Sequence, residues 1–228
     1  MHLVKMSRKP AKVTKSKRQA LSAGRIVAEA LALVDAEGLE GFSFRVLAGR
    51  LHCEAMSLYH YFPSKAHLFD AMLEVCISEM RTPDVDQPWR TQLTLIAREF
   101  RQVALRHPGF FLIFAIHRLN TPAGLGLIES LLRIFEATGL DAGTRARSFR
   151  MFGYYLMGAG LDEAIGYSKG PSAAEPVPDD VVMRDFPRVA AASIYFSPAY
   201  HEATFETGLK SMLDGIAALV TQSRTGTV

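Results

Sequence analysis

The chain has 228 residues, of which 49% are hydrophobic and 21% are charged, and its formal net charge is +3. These values are typical of a globular protein with room for one small domain and one larger domain that has its own core. The longest uncharged apolar runs, residues 109–116 and 151–161, are far shorter than the roughly 20 residues that a membrane-spanning helix needs. Because no apolar signal-peptide block follows the basic N-terminus, we expect a cytoplasmic protein with no membrane partner.

The sequence contains none of the motifs that indicate catalysis or cofactor binding. Its two cysteines, Cys53 and Cys76, do not have the spacing of metal ligands or of a structural disulfide. There is no His-Glu-x-x-His motif, no phosphate loop, no nucleophile elbow and no paired aspartate-rich motif. We therefore predict no enzyme activity, no catalytic residue, no metal site and no cofactor.

Positive charge is concentrated at the N-terminus. Residues 1–28 contain eight lysines and arginines and no acidic residue, so the other 200 residues carry a net charge of about −5. We predict that residues 1–21 form a basic flexible arm. Next to a DNA-reading motif, such an arm would neutralise phosphates and release counterions, which gives salt-dependent affinity for any DNA sequence. A solvated tail without a partner is the alternative.

Three predicted helices follow the arm and form a helix-turn-helix domain within residues 22–81. The first runs from Ala23 to Ala36, capped by Ser22 and stopped by Gly38. The segment Ser43 to Lys65 then reads as two short helices joined by a tight turn. This arrangement is typical of a motif that reads DNA.

Side-chain chemistry predicts different roles for the two short helices. Ser43 is positioned to cap the first, and its apolar residues Phe44, Leu47 and Leu51 share one inward face. The second helix is expected to bury Leu58. Its other residues are small or hydrogen-bonding groups that suit the major groove, namely Ala55, Met56, Ser57, Tyr59 and His60.

The rest of the chain is predicted to be helical, because its apolar residues keep a helical period and no alternating segment indicates a sheet. A fourth helix, Lys65 to Met80, ends before a polar break at residues 82–84, where we expect a second domain, residues 82–228, to begin. The predicted helices of that domain span Pro88–Arg106, Phe110–Leu119, Pro122–Thr138, Ala142–Tyr167, Pro187–Tyr195 and Tyr200–Gln222. Residues 168–180 contain three prolines and are predicted to form a loop.

Residues 25–73, RIVAEALALVDAEGLEGFSFRVLAGRLHCEAMSLYHYFPSKAHLFDAML, resemble the tetracycline-repressor (TetR) family of transcriptional regulators nearly throughout. The main departure is His52, where the family commonly has Gly. Because Gly adopts a left-handed conformation at no steric cost, His52 indicates local strain or a different turn. The C-terminal half is similar to the ligand-binding and dimerisation domain of tetracycline repressors through RHPGFF at 106–111, GYYLMGAGLDEA at 153–164 and FETGLKSMLDGIAAL at 205–219.

The resemblance implies an all-α fold with a DNA-contacting set in the first domain. It puts Arg45 on a base edge or a phosphate, and its side-chain chemistry fits that role. It puts Tyr59, Tyr61 and Lys65 on phosphates. The residues turned toward bases are Ala55, Met56, Ser57 and His60, and the full set adds Arg25 and Ser43.

The second domain has an aromatic and flexible interior, which suits an apolar pocket with a few polar anchors. Such side chains at helical spacing are more often plain core, and the polar residues are also explained as helix-end or surface charges. The resemblance, however, implies an inducer cavity in this place. The predicted lining is Phe100, Phe110, Phe111, Phe114, Met151, Tyr154 and Tyr155, with His117, Arg118 and Asp162 as polar anchors.

Metal-tetracycline is not the ligand that the sequence favours. When the chain is aligned on His107, Phe114 stands where relatives that bind magnesium-tetracycline have a histidine ligand, and His117 lies one turn away. Asp162 does fall where a nearby carboxylate sits in those proteins. The Thr-Arg-Pro signature is replaced by Leu-Asn-Thr-Pro at residues 119–122. We therefore expect a metal-free apolar or aromatic effector.

The resemblance also implies a homodimer, in which the long eighth helix and the last helix pair with those of a second subunit. Gly153, Gly158, Ala159 and Gly160 fit close helix approach, although a core helix of a monomer also explains them. A two-fold dimer would present its reading helices to half-sites ~34 Å apart, so a pseudo-palindromic operator is expected. We predict a repressor that a small molecule releases from double-stranded operator DNA. The alternative is a dimeric DNA-binding protein without a small-molecule ligand.

Overall fold

The structure, a computed structural model, describes residues 20–117, 119–166 and 174–225. Within these ranges the chain forms eleven α-helices and two short 3-10 turns and has no strand, which confirms the all-α prediction. The N-terminal helices are α1 (Ala23–Glu37), α2 (Phe44–Leu51), α3 (Ala55–Tyr59) and α4 (Lys65–Ser78). The helices that follow are α5 (Trp89–Arg106), α6 (Pro108–Ile116), α7 (Pro122–Glu136), α8 (Ala142–Ile165), α9 (Asp179–Asp185), α10 (Pro187–Ala192) and α11 (His201–Thr225).

Two predicted features concern the arm and the membrane. Residues 1–19 of the predicted arm lie outside the described ranges. Among the residues that the structure does describe, no helix combines the length and the hydropathy needed to cross a membrane.

Serine side chains fix the starts of α1, α2 and α4. Ser22, Ser43 and Ser64 have extended backbones, and each hydroxyl accepts a hydrogen bond from the amide three residues later, at 3.2–3.4 Å. Each bond satisfies one of the free N–H groups at a helix start. The caps predicted at Ser22 and Ser43 are therefore confirmed.

His52 ends α2 in a left-handed conformation, with φ 55° and ψ 43°. It is the one described residue other than glycine with a positive φ. Its amide donates to the carbonyl oxygens of Ala48 and Gly49, which closes the turn that leads into α3. The turn therefore keeps the geometry that glycine favours, and His52 carries a strain of about 1–2 kcal/mol.

The reading head, defined here as α1 to α3, packs directly on the C-terminal helices. Helix α4, which follows the reading head, makes a similar contact: Phe69 lies 6.1 Å from Phe110 of α6, measured between ring centroids. Gly109, in the first turn of α6, lies so close to α1 that a Cβ there would stand 2.1 Å from the carbonyl oxygen of Val34. One hydrophobic core consequently runs from the reading head into the C-terminal helices.

Helix α8 lies at the centre of the C-terminal part and packs against α5, α6, α7 and α11. A Cβ at Gly160 would stand 2.4 Å from Phe111, so this glycine is required by packing inside the chain. Added Cβ atoms at Gly153 and Gly158 would meet nothing within 4 Å. Gly160 therefore serves the core, whereas Gly153 and Gly158 face open space.

The main differences from the predicted helices concern three elements, α6, α9 and α10. Helix α6 begins at Pro108 and ends at Ile116, because proline fits the first helical position, where its missing N–H leaves no bond unmade. Helix α9 begins at Asp179, within the last two residues of the loop expected over 168–180, and extends to Asp185, where no element was predicted. The two aspartates in its first turn interact favourably with the helix dipole. The helix expected over 187–195 ends at Ala192 and continues as 3-10 turns at Ser193–Phe196 and Pro198–Tyr200.

Candidate DNA-reading surface and effector region

Helix α3 turns the predicted base-reading residues toward solvent. Leu58 is fully buried and anchors α3 on the core, whereas Met56 is 66% exposed and His60 is also exposed. Ala55 and Ser57 are half-buried and have short side chains, so the backbone between them lies near the surface. Exposed groups beside short side chains are what contact with base edges in a major groove requires.

The neighbouring predicted contacts come from α1, α2 and the end of α3. Arg45 is exposed on α2, and Arg25 is half-buried in the first turn of α1. The Ser43 hydroxyl accepts from the amide of Val46, a bond that does not use its own hydrogen. The ring of Tyr59 is partly exposed and lies 4.7 Å from that of Phe44, so Tyr59 also packs on the reading head.

Tyr61 and Lys65, both predicted on phosphates, also make contacts inside the protein. The Tyr61 hydroxyl donates to the carbonyl oxygen of Leu21 at 2.9 Å, which uses its single hydrogen. The Lys65 ammonium lies 4.9 Å and 5.1 Å from the ring centroids of Phe42 and Phe69. Because an exposed cation–π contact is worth only ~0.5–1 kcal/mol, Lys65 keeps most of its capacity to bind a phosphate.

The four predicted lining phenylalanines, Phe100, Phe110, Phe111 and Phe114, are all buried. Phe100 lies 5.5 Å from Phe111 and 5.1 Å from Phe114, and Phe111 stacks on Phe114 at 5.7 Å. These are ordinary distances between packed aromatic rings, so the three rings fill the space between α5 and α6. An effector that binds here must displace at least one of them.

Met151 and Tyr154 lie on a different face of α8 from the residues that pack on the phenylalanines. Tyr154 is 65% exposed and Met151 is 39% exposed, whereas Phe152 and Leu156 of the same helix are buried. Successive helical residues turn by about 100°, so 152 and 154 point in nearly opposite directions. The expectation that Met151 and Tyr154 share one pocket with the phenylalanines is therefore wrong within a single subunit.

The remaining predicted ligand residues are also dispersed. The hydroxyl of Tyr155 donates to the carbonyl oxygen of Phe205, which joins α8 to α11, and burial raises the pKa of Tyr155 to about 12. Asp162 is exposed, and Arg118 lies outside the described residues. The His117 ring nitrogen Nε2 lies 2.7 Å from Oδ1 of Asp70, so the end of α6 contacts α4.

The two parts of the chain match two family models. Residues 26–72 match the model described as bacterial regulatory proteins, tetR family, and residues 82–220 match the model described as tetracyclin repressor-like, C-terminal domain. The chain belongs to the TetR family of transcriptional regulators. As a member of this family it is a DNA-binding protein that reads DNA through the helix-turn-helix of α2 and α3.

Relatives of this TetR-family chain include the tetracycline repressor protein class A from transposon 1721 of Escherichia coli. That repressor is 31% identical over 200 residues, which cover 86% of this chain and 91% of the relative. A possible TetR family regulator from Streptomyces coelicolor A3(2) has a TM-score of 0.73 and 26% identity, over 87% of this chain and 100% of that one. A TetR variant from Acinetobacter baumannii AYE, solved in complex with minocycline, has a TM-score of 0.65 and 25% identity, over 88% and 99%.

Sequence reasoning missed a buried ion pair between α5 and α8. Nε of Arg101 on α5 lies 2.9 Å from both carboxylate oxygens of Glu163 on α8, and the two side chains are 13% and 6% exposed. The Arg101 guanidinium also lies 5.2 Å from the ring centroid of Phe205. The two charges are 62 residues apart in the sequence, so no local motif could have joined them. Arg101 and Glu163 thus place charged groups in the interior, whereas the predicted anchor Asp162 is exposed.

Proposed function

We propose that this TetR-family chain is a homodimeric, cytoplasmic repressor that a small apolar or aromatic molecule releases from a pseudo-palindromic operator. One observation carries the proposal. The exposed face of α3 belongs to a reading head that shares a continuous core with a cluster of interlocked phenyl rings. A molecule that separates those rings would therefore move elements that are packed on the reading head.

The surface supports the dimer. Helices α8 and α11 pack against each other, and Gly158 and Gly215 leave space on their outer sides. The segment from 174 to 200 adds a set of large apolar side chains that are each more than half exposed: Val177, Met183, Phe186, Val189, Ile194, Tyr195 and Phe196. Exposed large apolar side chains in this number within one segment indicate an interface, and a second copy of the chain would cover them.

A contact between α6 and α4 supports the transmission of the effector signal. His117 ends α6, three residues after the buried Phe114, and its ring contacts Asp70 of α4. Helix α4 begins at Lys65, and only residues 60–64 separate it from the end of α3. A displacement of Phe114 would thus pass along α6 to His117 and from there to α4.

The energy required for release is modest. A ligand shifts the balance between two states only by its difference in affinity for them. Release by ten- to hundredfold requires a coupling free energy of about 1.4–2.8 kcal/mol. This is comparable to the contribution of one or two aromatic contacts, so rearrangement of the phenyl cluster is sufficient.

The chemistry of the cluster supports a metal-free effector. Phe114, which stands where metal-tetracycline relatives have a histidine, is buried against Phe100 and Phe111 and offers no metal ligand. The Acinetobacter relative was solved in complex with minocycline, a molecule with a fused ring system. A molecule with a comparable fused ring system is therefore the class to test first.

A second candidate function is a dimeric DNA-binding protein without a small-molecule ligand. The contact of Phe111 with Phe114, whose ring centroids lie 5.7 Å apart, favours it, because this is the ordinary packing distance of a plain aromatic core. In this case the aromatic cluster serves only to hold α5, α6 and α8 together.

Selection of bound fragments from a genomic library tests the proposed function. We expect the recovered DNA to contain an inverted repeat with half-site centres one helical turn, ~34 Å, apart or a multiple of it. A panel of fused-ring aromatic compounds, minocycline among them, is then tested for release of that DNA. Bound fragments without two-fold symmetry would contradict the dimeric repressor, and a symmetric operator that no compound releases would favour the second candidate.

A further inference from the structure

His107 connects three helices at the junction between the reading head and the C-terminal part. It lies between α5 and α6, and its ring nitrogen Nδ1 is 2.9 Å from Oδ2 of Asp35, in the last turn of α1. Its other ring nitrogen, Nε2, is 3.2 Å from Oε1 of Glu79, which caps the end of α4. A single imidazole ring therefore contacts α1, α4 and the α5–α6 turn.

Asp35 uses its second oxygen to bind the start of α6. Oδ1 accepts hydrogen bonds from the backbone amides of Gly109 at 3.1 Å and Phe110 at 3.3 Å. A carboxylate at this position satisfies free N–H groups and interacts favourably with the helix dipole. Because Gly109 also touches the backbone of Val34, α1 and α6 are fixed to each other at their ends.

The arrangement of acceptors selects the protonated ring. Both neighbours of His107 are carboxylates, which accept hydrogen bonds when ionised. Only an imidazolium has N–H groups on both nitrogens, whereas a neutral ring would direct a lone pair at one of the two carboxylates. The hydrogen bond with Asp35 raises the pKa of His107, burial opposes this rise, and the bond with Glu79 adds to it.

The other polar groups around His107 are also accounted for. Arg106 donates from Nε to Oε2 of Glu79 at 2.9 Å, so Glu79 lies between two cationic side chains. The Cys76 thiol is buried close by, and burial raises its pKa to about 12, so it adds no charge near neutrality. The charge that changes at this junction near neutral pH is therefore that of His107.

We propose that His107 is a pH-sensitive positioning residue, whose imidazolium holds α1 and α4 on the α5–α6 turn and whose deprotonation loosens the reading head. This role goes beyond the response to an effector, since it requires no ligand. The raised pKa of the folded state sets the direction of the effect. The stabilisation is fully present below the ordinary pKa of 6.5 and is lost as the pH rises through the higher pKa of the native ring.

A titration of the full-length protein followed by NMR tests the first part of this proposal. The imidazole signals of His107 are assigned by their loss in His107→Gln. We expect His107 to titrate above 6.5, the ordinary pKa of a histidine. In Asp35→Asn and Glu79→Gln, which each remove one charged acceptor, the titration of His107 should move down. A native His107 that titrates at or below 6.5 would overturn the proposal.

Hydrogen exchange tests whether the titration loosens the junction rather than the whole fold. In the wild type, protection of the Gly109 and Phe110 amides should fall, relative to Leu131 of α7, as the pH passes the titration point of His107. In His107→Gln this extra loss should disappear, because the glutamine amide does not titrate. If His107→Gln fails to fold, Glu79→Gln, which leaves Asp35 on the α6 amides, should instead move this loss of protection to lower pH, together with the titration of His107. An identical pH dependence in the wild type and the variant that folds would contradict a switching role.

Discussion

Three residues of the reading surface, Tyr59, Tyr61 and Lys65, contact the reading head as well as solvent. Tyr59 packs on Phe44, Tyr61 binds the Leu21 carbonyl, and Lys65 lies over two phenyl rings. Substitution by alanine at these positions would therefore remove packing together with any DNA contact. The more informative changes are those that delete a polar group and keep the ring.

The first prediction concerns DNA contacts. Arg45→Ala and Tyr59→Phe should each weaken binding to the selected operator. For Arg45→Ala the loss should be roughly 1–3 kcal/mol if the guanidinium reaches a base edge. Their melting temperatures should stay near that of the wild type, because Arg45 is exposed and the phenyl ring still packs on Phe44. Footprinting and calorimetry measure the two effects. Arg133→Ala, on the exposed side of α7, is the control. Footprints unchanged from the wild type in both variants would refute the assignment of this surface.

The second prediction concerns the turn between α2 and α3. His52→Gly should stabilise the protein by roughly 0.5–1 kcal/mol, because it relieves left-handed strain but adds flexibility to the unfolded chain. His60→Gly is the matched control, since His60 has an ordinary right-handed backbone and the change should destabilise. Urea unfolding measures both. A loss of stability in His52→Gly would mean that the contacts of the histidine side chain stabilise the fold by more than its backbone strain destabilises it.

At the scale of helices, capping and breaking residues made much of the fold predictable. Serine caps at 22 and 43 and the breaks at Gly38 and Gly139 lie where the helices start and stop. Helix α9 was missed because its first turn directly follows three prolines and because its acidic residues are equally common in loops. The periodic spacing of apolar residues identified the helices. It could not show which apolar face of a helix packs in the core and which faces a partner. For this reason Met151 and Tyr154 were grouped with residues that α8 turns the other way.

The third prediction separates the two kinds of glycine in α8. Gly160→Ala should destabilise the fold by about 1–3 kcal/mol, because its Cβ would overlap Phe111 and force the ring to move. Gly158→Ala should leave each subunit as stable or more so, since there is space for a methyl group and alanine favours helix. It should nevertheless weaken the dimer in sedimentation at low concentration. A dimer of undiminished strength would remove α8 from the proposed interface.

The fourth prediction concerns the ion pair between α5 and α8. Arg101→Met should destabilise by about 3–5 kcal/mol, because it leaves the buried carboxylate of Glu163 without a partner. Arg98 of the same helix forms an equivalent pair with Glu206, but its side chain is 57% exposed. Arg98→Met should therefore cost no more than ~1 kcal/mol. Similar losses in both variants would indicate that the Arg101 pair is open to water.

At the scale of the whole molecule, the sequence predicted the two regions but not the junction between them. The contacts of Asp35, His107 and Glu79 join residues from three separate helices, and no local pattern brings them together. The contact between His117 and Asp70 is of the same kind. Both junctions consist of a histidine from the C-terminal part and a carboxylate from the N-terminal helices. Communication between an effector and DNA would have to pass through this boundary.

The most direct test of the proposed function measures operator affinity with and without an effector in matched α6 variants. The dissociation constant of the selected operator is determined for the wild type, for Phe114→Ala and for Ile116→Ala, whose side chain is 75% exposed. With a fused-ring compound that releases the wild type, Ile116→Ala should respond normally. Phe114→Ala should bind DNA in the absence of the compound but lose the ten- to hundredfold release. Release of Phe114→Ala at the wild-type concentration of the compound would contradict an effector site among these phenylalanines.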